Sequence, residues 1–91
     1  MSTHEKVRQA IENLGYQCAD EGKVTLNDLY LKLNIPPKDW AYGVKWDYKD
    51  LRYETDNFGV PIPKLPIETT TILGFNDKPC LGIRYDANTL F

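Results

Sequence analysis

The stretch AYGVKWDY, Ala41 to Tyr48, decides the fold because it ends the helical periodicity of the chain. Its large apolar side chains fall on every second position, which is the period of a β-strand. They are Tyr42, Val44, Trp46 and Tyr48. A helix across residues 38–51 would instead place Gly43 in its interior and leave Trp46 off its apolar face. We therefore predict a strand whose four large side chains enter the core.

The segment before this strand has the helical period. Ser2 and Glu5 have the spacing of a capping box, in which the two side chains satisfy free N–H groups at a helix start. One apolar stripe follows: Val7, Ala10, Ile11 and Leu14. Gly15 comes next, where a left-handed residue commonly ends a helix. The pattern predicts a helix over residues 2–15.

A second helix is predicted in VTLNDLYLKLN, residues 24–34. Thr25 and Asp28 repeat the capping-box spacing. The apolar positions again share one helix face: Leu26, Leu29, Tyr30 and Leu33. Pro36 and Pro37 end the helix, because proline lacks the N–H donor and disfavours the helical conformation of the residue before it.

The rest of the chain has β character. Residues 53–60 fit a second strand, and three prolines then predict an extended, irregular connection: Pro61, Pro63 and Pro66. Residues 68–75 and 80–86 predict two strands joined by a turn at 76–79, which makes a hairpin. The tail, residues 87–91, ends in two apolar residues, so we expect it to dock on the core.

These elements predict an α+β domain, in which two N-terminal helices pack on a three- to four-stranded antiparallel sheet. We expect one domain over residues 1–91, with a helical part at 2–35 and a β-meander at 39–91. The alternative is a winged helix, with a recognition helix near 37–51 and a wing at 69–85. That recognition helix would carry three aspartates against three lysines and no arginine, a poor match to the edges of DNA bases.

Four stretches resemble a family of small uncharacterised proteins of bacteria and their phages: VTLNDLYLKLNI, GVKWDY, DNFGV and TTILGFNDKPCLGIRYD. Members of that family show a leucine-asparagine-aspartate-x-tyrosine helix, a glycine-x-x-tryptophan strand and a late strand beginning proline-cysteine-leucine. The resemblance covers residues 24–91. It implies a phage or prophage setting, and it carries no catalytic residue because no activity is assigned to the family.

Charge and composition argue against several classes of function. The net charge is −2, and basic and acidic residues alternate, as in KWDYKDLRYETD, so we do not expect direct nucleic-acid binding. The N-terminus has no apolar signal region, and no apolar run is long enough to span a bilayer. We expect a cytoplasmic protein without a membrane role. Cys18 and Cys80 match no metal spacing, and we expect free thiols, with a disulfide as the alternative.

The sequence offers little catalytic chemistry. His4 is the single histidine, which excludes a metal site built on two histidines, and its place in the first turn of the predicted helix indicates a solvated side chain rather than a catalyst. The densest carboxylate group is Asp47, Asp50, Glu54 and Asp56, which a small metal-dependent enzyme could use. Its spacing does not follow the calcium-loop pattern, and lysine and arginine are interleaved with it. We therefore predict no enzyme, no cofactor and no metal site.

Aromatic residues outside the alternating face are the better candidates for function. Trp40, Tyr53 and Phe58 are expected to form an exposed protein-contact patch. The leading hypothesis is a small non-catalytic binding or structural protein, encoded by a phage, that inhibits a host factor or serves as a virion accessory. The partner would be a host protein or a second copy joined through a sheet edge. A winged-helix DNA-binding regulator and the metal-dependent enzyme are the alternatives.

Overall fold

The computed structural model describes residues 3–73, 79–86 and 88–89. The helices are α1 (Thr3–Glu21) and α2 (Leu26–Lys32), and two 3₁₀ helices span Asp39–Gly43 and Tyr48–Asp50. The strands are β1 (Lys23–Thr25), β2 (Val44–Asp47), β3 (Arg52–Thr55), β4 (Pro61–Lys64), β5 (Ile67–Leu73), β6 (Pro79–Tyr85) and β7 (Asn88–Thr89). The α+β class predicted from the sequence is confirmed.

The strands are divided among three small antiparallel sheets, whereas the sequence predicted one sheet. Their strand orders are β1-β2-β7, β3-β4 and β5-β6. The difference begins with β1, a three-residue strand between the two helices, which pairs with β2 through Val24 and Trp46. The predicted helical part, residues 2–35, therefore also contributes a strand. On the other side of β2, β7 pairs through Thr89 and Asn88, so the tail docks as far as it is described.

α1 runs six residues beyond the predicted end at Gly15, because the glycine serves another purpose. A Cβ atom at Gly15 would lie 2.6 Å from the carbonyl oxygen of Pro63 in β4, so only glycine lets the strand lie directly on the helix. The helix ends instead at Gly22, which has a φ of +89°. The Gly22 N–H donates to the carbonyl of Cys18 at 2.8 Å. Ser2, the predicted cap, lies outside the described residues.

α2 begins at the predicted cap and ends before the two prolines. The N–H of Thr25 donates to the carboxylate of Asp28 at 2.7 Å, which is one half of the predicted capping box. After Lys32 the chain turns through Asn34, whose φ is +59°, and the N–H of Ile35 donates to the carbonyl of Tyr30 at 2.9 Å. This closed turn ends the helix at Lys32, before the chain reaches Pro36.

The stretch AYGVKWDY forms a strand only in its centre. Val44 and Trp46 are buried, as predicted, but Tyr42 and Tyr48 are 56% and 62% exposed. Both tyrosines lie in the flanking 3₁₀ helices, where the side chains no longer alternate between two faces. No α-helix spans residues 38–51, all of which are described, so the recognition helix of the winged-helix alternative is absent.

Trp46 occupies the centre of the core and is 1% exposed. Its indole N–H donates to the carbonyl oxygen of Asp86 at 2.6 Å. Its ring meets the ring of Tyr85 edge-on, with 5.9 Å between centroids. The core contains side chains from both helices, from the β1-β2-β7 and β5-β6 sheets, and from residues that flank the β3–β4 sheet: Ala10, Leu14, Cys18, Val24, Leu26, Leu29, Ala41, Val44, Trp46, Leu51, Leu65 and Ile67, with Ile83 packed against it.

The proline-rich segment forms a strand, not the irregular connection predicted. Pro61 and Pro63 lie in β4 and oppose Thr55 and Tyr53 of β3. The hairpin predicted further along is confirmed, because β5 and β6 pair from Ile67–Tyr85 to Leu73–Pro79. The predicted turn at 76–79 lies, apart from Pro79, outside the described residues.

Replacing Gly15 by alanine tests the close approach of β4 to α1. Alanine favours a helix over glycine by about 1 kcal/mol, but its methyl group would collide with a backbone oxygen that no rotamer change can move. We expect Gly15→Ala to lower the free energy of unfolding by about 1–3 kcal/mol, measured by urea denaturation. The control is Asn13→Ala at an exposed position of the same helix, which should be neutral or slightly stabilising. A stabilised Gly15→Ala variant would contradict the contact.

Replacing Trp46 by alanine should lower the free energy of unfolding by about 3–5 kcal/mol, as large-to-small core substitutions do. The matched control is Tyr42→Ala, from the same predicted face but half exposed, which should change stability by less than about 1 kcal/mol. Thermal and urea unfolding would measure both. Equal effects for the two variants would show that Trp46 does not occupy the core.

Candidate protein-contact surface

The β3–β4 ribbon presents its outer strand, β3, to solvent. All four residues of β3 are exposed, whereas β4 packs against α1. In the described residues β3 pairs with β4 alone, so its outer edge has no partner strand. The ribbon therefore presents one whole strand to the surroundings while its second strand anchors it to the protein.

The two edges of this ribbon differ in their hydrogen-bonding groups. Asp56 donates its N–H to the carbonyl of Val60 at 3.0 Å, so this pair is hydrogen-bonded across the ribbon. Because such pairs alternate along an antiparallel ladder, the register makes Glu54–Ile62 hydrogen-bonded and Tyr53–Pro63 not. Tyr53 therefore points its N–H and carbonyl groups to the outer edge. By the same alternation, so does Thr55.

Proline closes the opposite edge. Pro61 and Pro63 occupy the positions of β4 whose N–H groups would point away from β3. Proline has no N–H, so this edge offers no donor to another strand. The outward carbonyl of Pro63 is the one that lies against Gly15. The ribbon thus has one closed edge against the helix and one open edge at Tyr53 and Thr55.

The turn of the ribbon holds an aromatic side chain in solvent. One carboxylate oxygen of Asp56 accepts the N–H groups of Phe58 and Val60 at 2.8 and 2.9 Å. Gly59 supplies the left-handed residue, with a φ of +80°. Phe58 is 91% exposed at the tip. A turn fixed by these bonds presents the phenyl ring with little backbone freedom left to lose on binding.

Trp40 lies on a different part of the surface, after α2. Asn27 is buried, and its side-chain amide donates to the carbonyl of Lys38 and accepts the Lys38 N–H, both at 2.9 Å. These two hydrogen bonds to the backbone of Lys38 fix the segment that follows the two prolines. The Trp40 ring is 60% exposed and rests edge-on against Tyr30, with 6.3 Å between centroids.

All three predicted contact residues are exposed, but they divide into two groups. Tyr53 and Phe58 share the β3–β4 ribbon, and no ring contact in the described part of the chain joins either to Trp40. Further large apolar side chains that were not predicted as contact residues are also exposed, among them Tyr42, Tyr48 and Val60. Val60 adjoins the same turn as Phe58. We name Tyr53, Phe58 and Val60 the ribbon patch.

The predicted carboxylate group holds turns and does not form a cation site. Asp47 accepts the N–H of Lys49 at 2.8 Å, and Asp50 accepts the N–H of Asp47 at 2.9 Å. Asp56 caps the ribbon turn, as described above, and Glu54 lies on β3. Within residues 3–73, 79–86 and 88–89, no group of three or more histidine, cysteine, aspartate or glutamate side chains could hold a metal ion.

His4 and Cys18 lie fourteen residues apart on α1, about 21 Å along its axis, so they cannot act together. His4 is exposed, and its Nε2 lies 3.4 Å from the hydroxyl of Thr69. Cys18 is a fully buried free thiol that donates to the carbonyl of Trp46 at 3.9 Å. Burial raises the pKa of Cys18 from 9.0 to about 11, and the charges of Asp47 and Asp50 add to the shift. A neutral, enclosed thiol is inert. The side chain of Cys80 lies outside the described residues.

A groove of about 460 Å³ runs between the end of α1 and β1. Its lining combines acidic, basic and neutral side chains: Gln17, Glu21, Lys23, Val24, Thr25, Asp28, Tyr42 and Lys45. It contains no histidine or cysteine, and it is open to solvent. The ribbon patch, not this groove, combines exposed aromatic groups with unpaired backbone groups.

No protein-family model, curated protein or solved structure matches this chain. The resemblance to small phage and bacterial proteins therefore stays a prediction. Among the described helices, none is both long and apolar enough to cross a membrane.

The buried thiol predicts a specific dependence of stability on pH. The pKa of Cys18 is higher in the folded chain than in the unfolded chain, so the thiol loses its proton at a lower pH when the chain is unfolded. The contribution of Cys18 to stability therefore falls as pH rises. We expect the stability advantage of the wild type over Cys18→Ala to be full below pH 9 and to shrink by about 2 kcal/mol towards pH 11.

Urea denaturation at a series of pH values would measure the difference in free energy of unfolding between the wild type and Cys18→Ala. Tyrosines and lysines titrate in both proteins, so their effect cancels in this difference. Cys80→Ala serves as the matched control. A wild-type advantage that stays constant from pH 8 to about pH 11 would show that the Cys18 thiol is not shielded in the folded chain.

Proposed function

We propose that this chain is a small non-catalytic protein that acts by binding another protein through the ribbon patch. The observation that carries the proposal is the exposure of Phe58 on a turn fixed by Asp56, beside a strand whose outer edge is unpaired. Exposed aromatic groups and unpaired strand edges are both typical of protein recognition.

The energetics of the ribbon favour binding. Rigid aromatic anchors lose little side-chain entropy when they enter a pocket, and a pre-formed turn avoids the cost of ordering a loop. The close contact of Pro63 with Gly15 fixes the base of the ribbon on α1. Lys64 adds an ion pair to Glu12 of α1 at 3.3 Å, although a pair this exposed contributes little.

The setting follows from the resemblance described above. We propose a phage- or prophage-encoded protein in the cytoplasm of the host cell, where it inhibits a host factor or accompanies virion assembly. Trp40 and its neighbour Tyr42, both more than half exposed, are a second surface for the same role. The winged-helix regulator and the metal-dependent enzyme are not proposed: the first needs a helix at 37–51, and the second needs clustered carboxylates.

Affinity capture tests the proposal. The tagged full-length chain would be used to capture proteins from bacterial lysate, and the captured protein would then be purified. Phe58→Ala should weaken its binding by about 10- to 30-fold in calorimetric titration, as removal of a central aromatic anchor does. The fold should be unaffected, because the side chain contacts solvent.

The control is Leu31→Ala, which removes a 75% exposed apolar side chain from α2, outside the ribbon patch. It should change the affinity by less than about 2-fold. If no captured protein depends on Phe58, or if Leu31→Ala weakens binding as much, the ribbon patch is not the binding surface.

A further inference from the structure

We infer that the partner at the outer edge of β3 is a second copy of this chain, paired antiparallel about a twofold axis at Tyr53. The inference rests on the proposed role of the ribbon as a protein-contact surface and names the partner there. It follows from the groups that point outward from β3 and from the charges that flank them.

Backbone geometry limits the possible registers. Only Tyr53 and Thr55 direct their N–H and carbonyl groups to the outer edge, while Arg52 and Glu54 direct theirs to β4. Two antiparallel edges pair without a bulge only when outward-facing residues meet outward-facing residues. The twofold axis must therefore set one residue of β3 opposite the same residue of the second copy. It cannot fall between two neighbouring residues of the strand, because outward-facing residues would then meet inward-facing ones.

Charge selects one of these registers. A twofold axis at Arg52 sets the arginine against itself. An axis at Glu54 sets the glutamate against itself at the centre of the pair; it brings Arg52 opposite Asp56 only at the strand end, where the Asp56 carboxylate already accepts two N–H groups of its own turn. An axis at Thr55 sets Glu54 against Asp56. An axis at Tyr53 instead sets Arg52 of each copy opposite Glu54 of the other, within the strand. The like-charged pair in this register, Asp50 and Asp56, lies outside β3, beyond both ends of the strand pairing. Opposite charges stabilise a cross-strand pair and like charges destabilise it, so the sequence Arg52–Tyr53–Glu54 is complementary to itself.

This register also uses the unpaired backbone groups. Tyr53 exchanges N–H and carbonyl bonds with Tyr53 of the second copy, and their rings lie side by side. The Thr55 N–H meets the carbonyl of Leu51 of the second copy. The Leu51 N–H needs no partner there, because it already donates to the carbonyl of Tyr48 at 3.3 Å.

The result is a continuous sheet in the order β4-β3-β3-β4. Each outer strand is β4, whose far edge is closed by Pro61 and Pro63 and covered by α1. A third copy therefore finds no donor edge, and the assembly stops at a dimer instead of growing into a fibre. A short strand buries little area, so we expect weak association, with a Kd in the micromolar range or above.

Sedimentation velocity of the full chain, in reductant to exclude dimers linked by cysteine, would measure the association from about 5 µM to 1 mM. We expect a concentration-dependent shift from monomer to dimer. Thr55→Pro should abolish it, because the outward N–H is lost at a position where an edge strand tolerates proline. Near-ultraviolet circular dichroism would verify that this variant is folded.

Exchanging the charges of Arg52 and Glu54 gives a second test that does not introduce a proline. Arg52→Glu should weaken dimerisation by at least about 10-fold, since it sets two glutamates opposite each other in two places. The substitution places a carboxylate opposite Lys64 in the same chain, so it does not strain the monomer. Combining it with Glu54→Arg restores complementary charges and should return the Kd to within about 3-fold of the wild type.

A wild-type chain that stays monomeric at every concentration would overturn the inference. So would a double variant that associates no better than Arg52→Glu, or a folded Thr55→Pro variant that still dimerises. The proposed function fails separately. If the chain is monomeric but captures another protein through Phe58, the ribbon patch binds a different partner and only the self-pairing is wrong.

Discussion

The burial of Trp46 is the constraint on which the rest of the structure depends. Its indole lies between the helical layer and the C-terminal hairpin and donates its N–H to Asp86 at the end of β6. The backbone of the same residue pairs with Val24 on the adjacent strand and accepts the thiol of Cys18 from α1. One residue thus joins segments from both ends of the chain, and a domain of this size has few other large side chains to replace it.

A second contact positions the surface to which we assign function. Gly15 lets the carbonyl of Pro63 rest on α1, so β4 becomes the anchored strand of the ribbon and β3 the outer one. The same prolines that allow this contact remove the donors from the inner edge. Packing and recognition are therefore coupled: the side that lies on the helix cannot pair further, and the side that faces solvent can.

Local patterns predicted some elements well and failed where a contact distant in sequence decides the outcome. The cap at Thr25 and the β5–β6 hairpin follow from residues a few positions apart. The extension of α1 past Gly15 depends on a strand almost fifty residues later, which no short window reveals. Tyr48 was misplaced for a local reason: Asp47 and Asp50 repeat the capping spacing used elsewhere and begin a turn there. The exposure of Phe58 was predicted, but its separation from Trp40 needed the tertiary structure.

The two tryptophans of the chain allow the most direct test of the account, hydrogen exchange of their indole N–H groups followed by NMR. The N–H of Trp46 is buried and bonded, so its exchange requires opening of the whole domain, whereas Trp40 is 60% exposed. We predict that the Trp46 indole exchanges at least about 1,000-fold more slowly than that of Trp40, as slowly as the most protected backbone amides. Equal exchange rates for the two indoles would contradict the central role of Trp46.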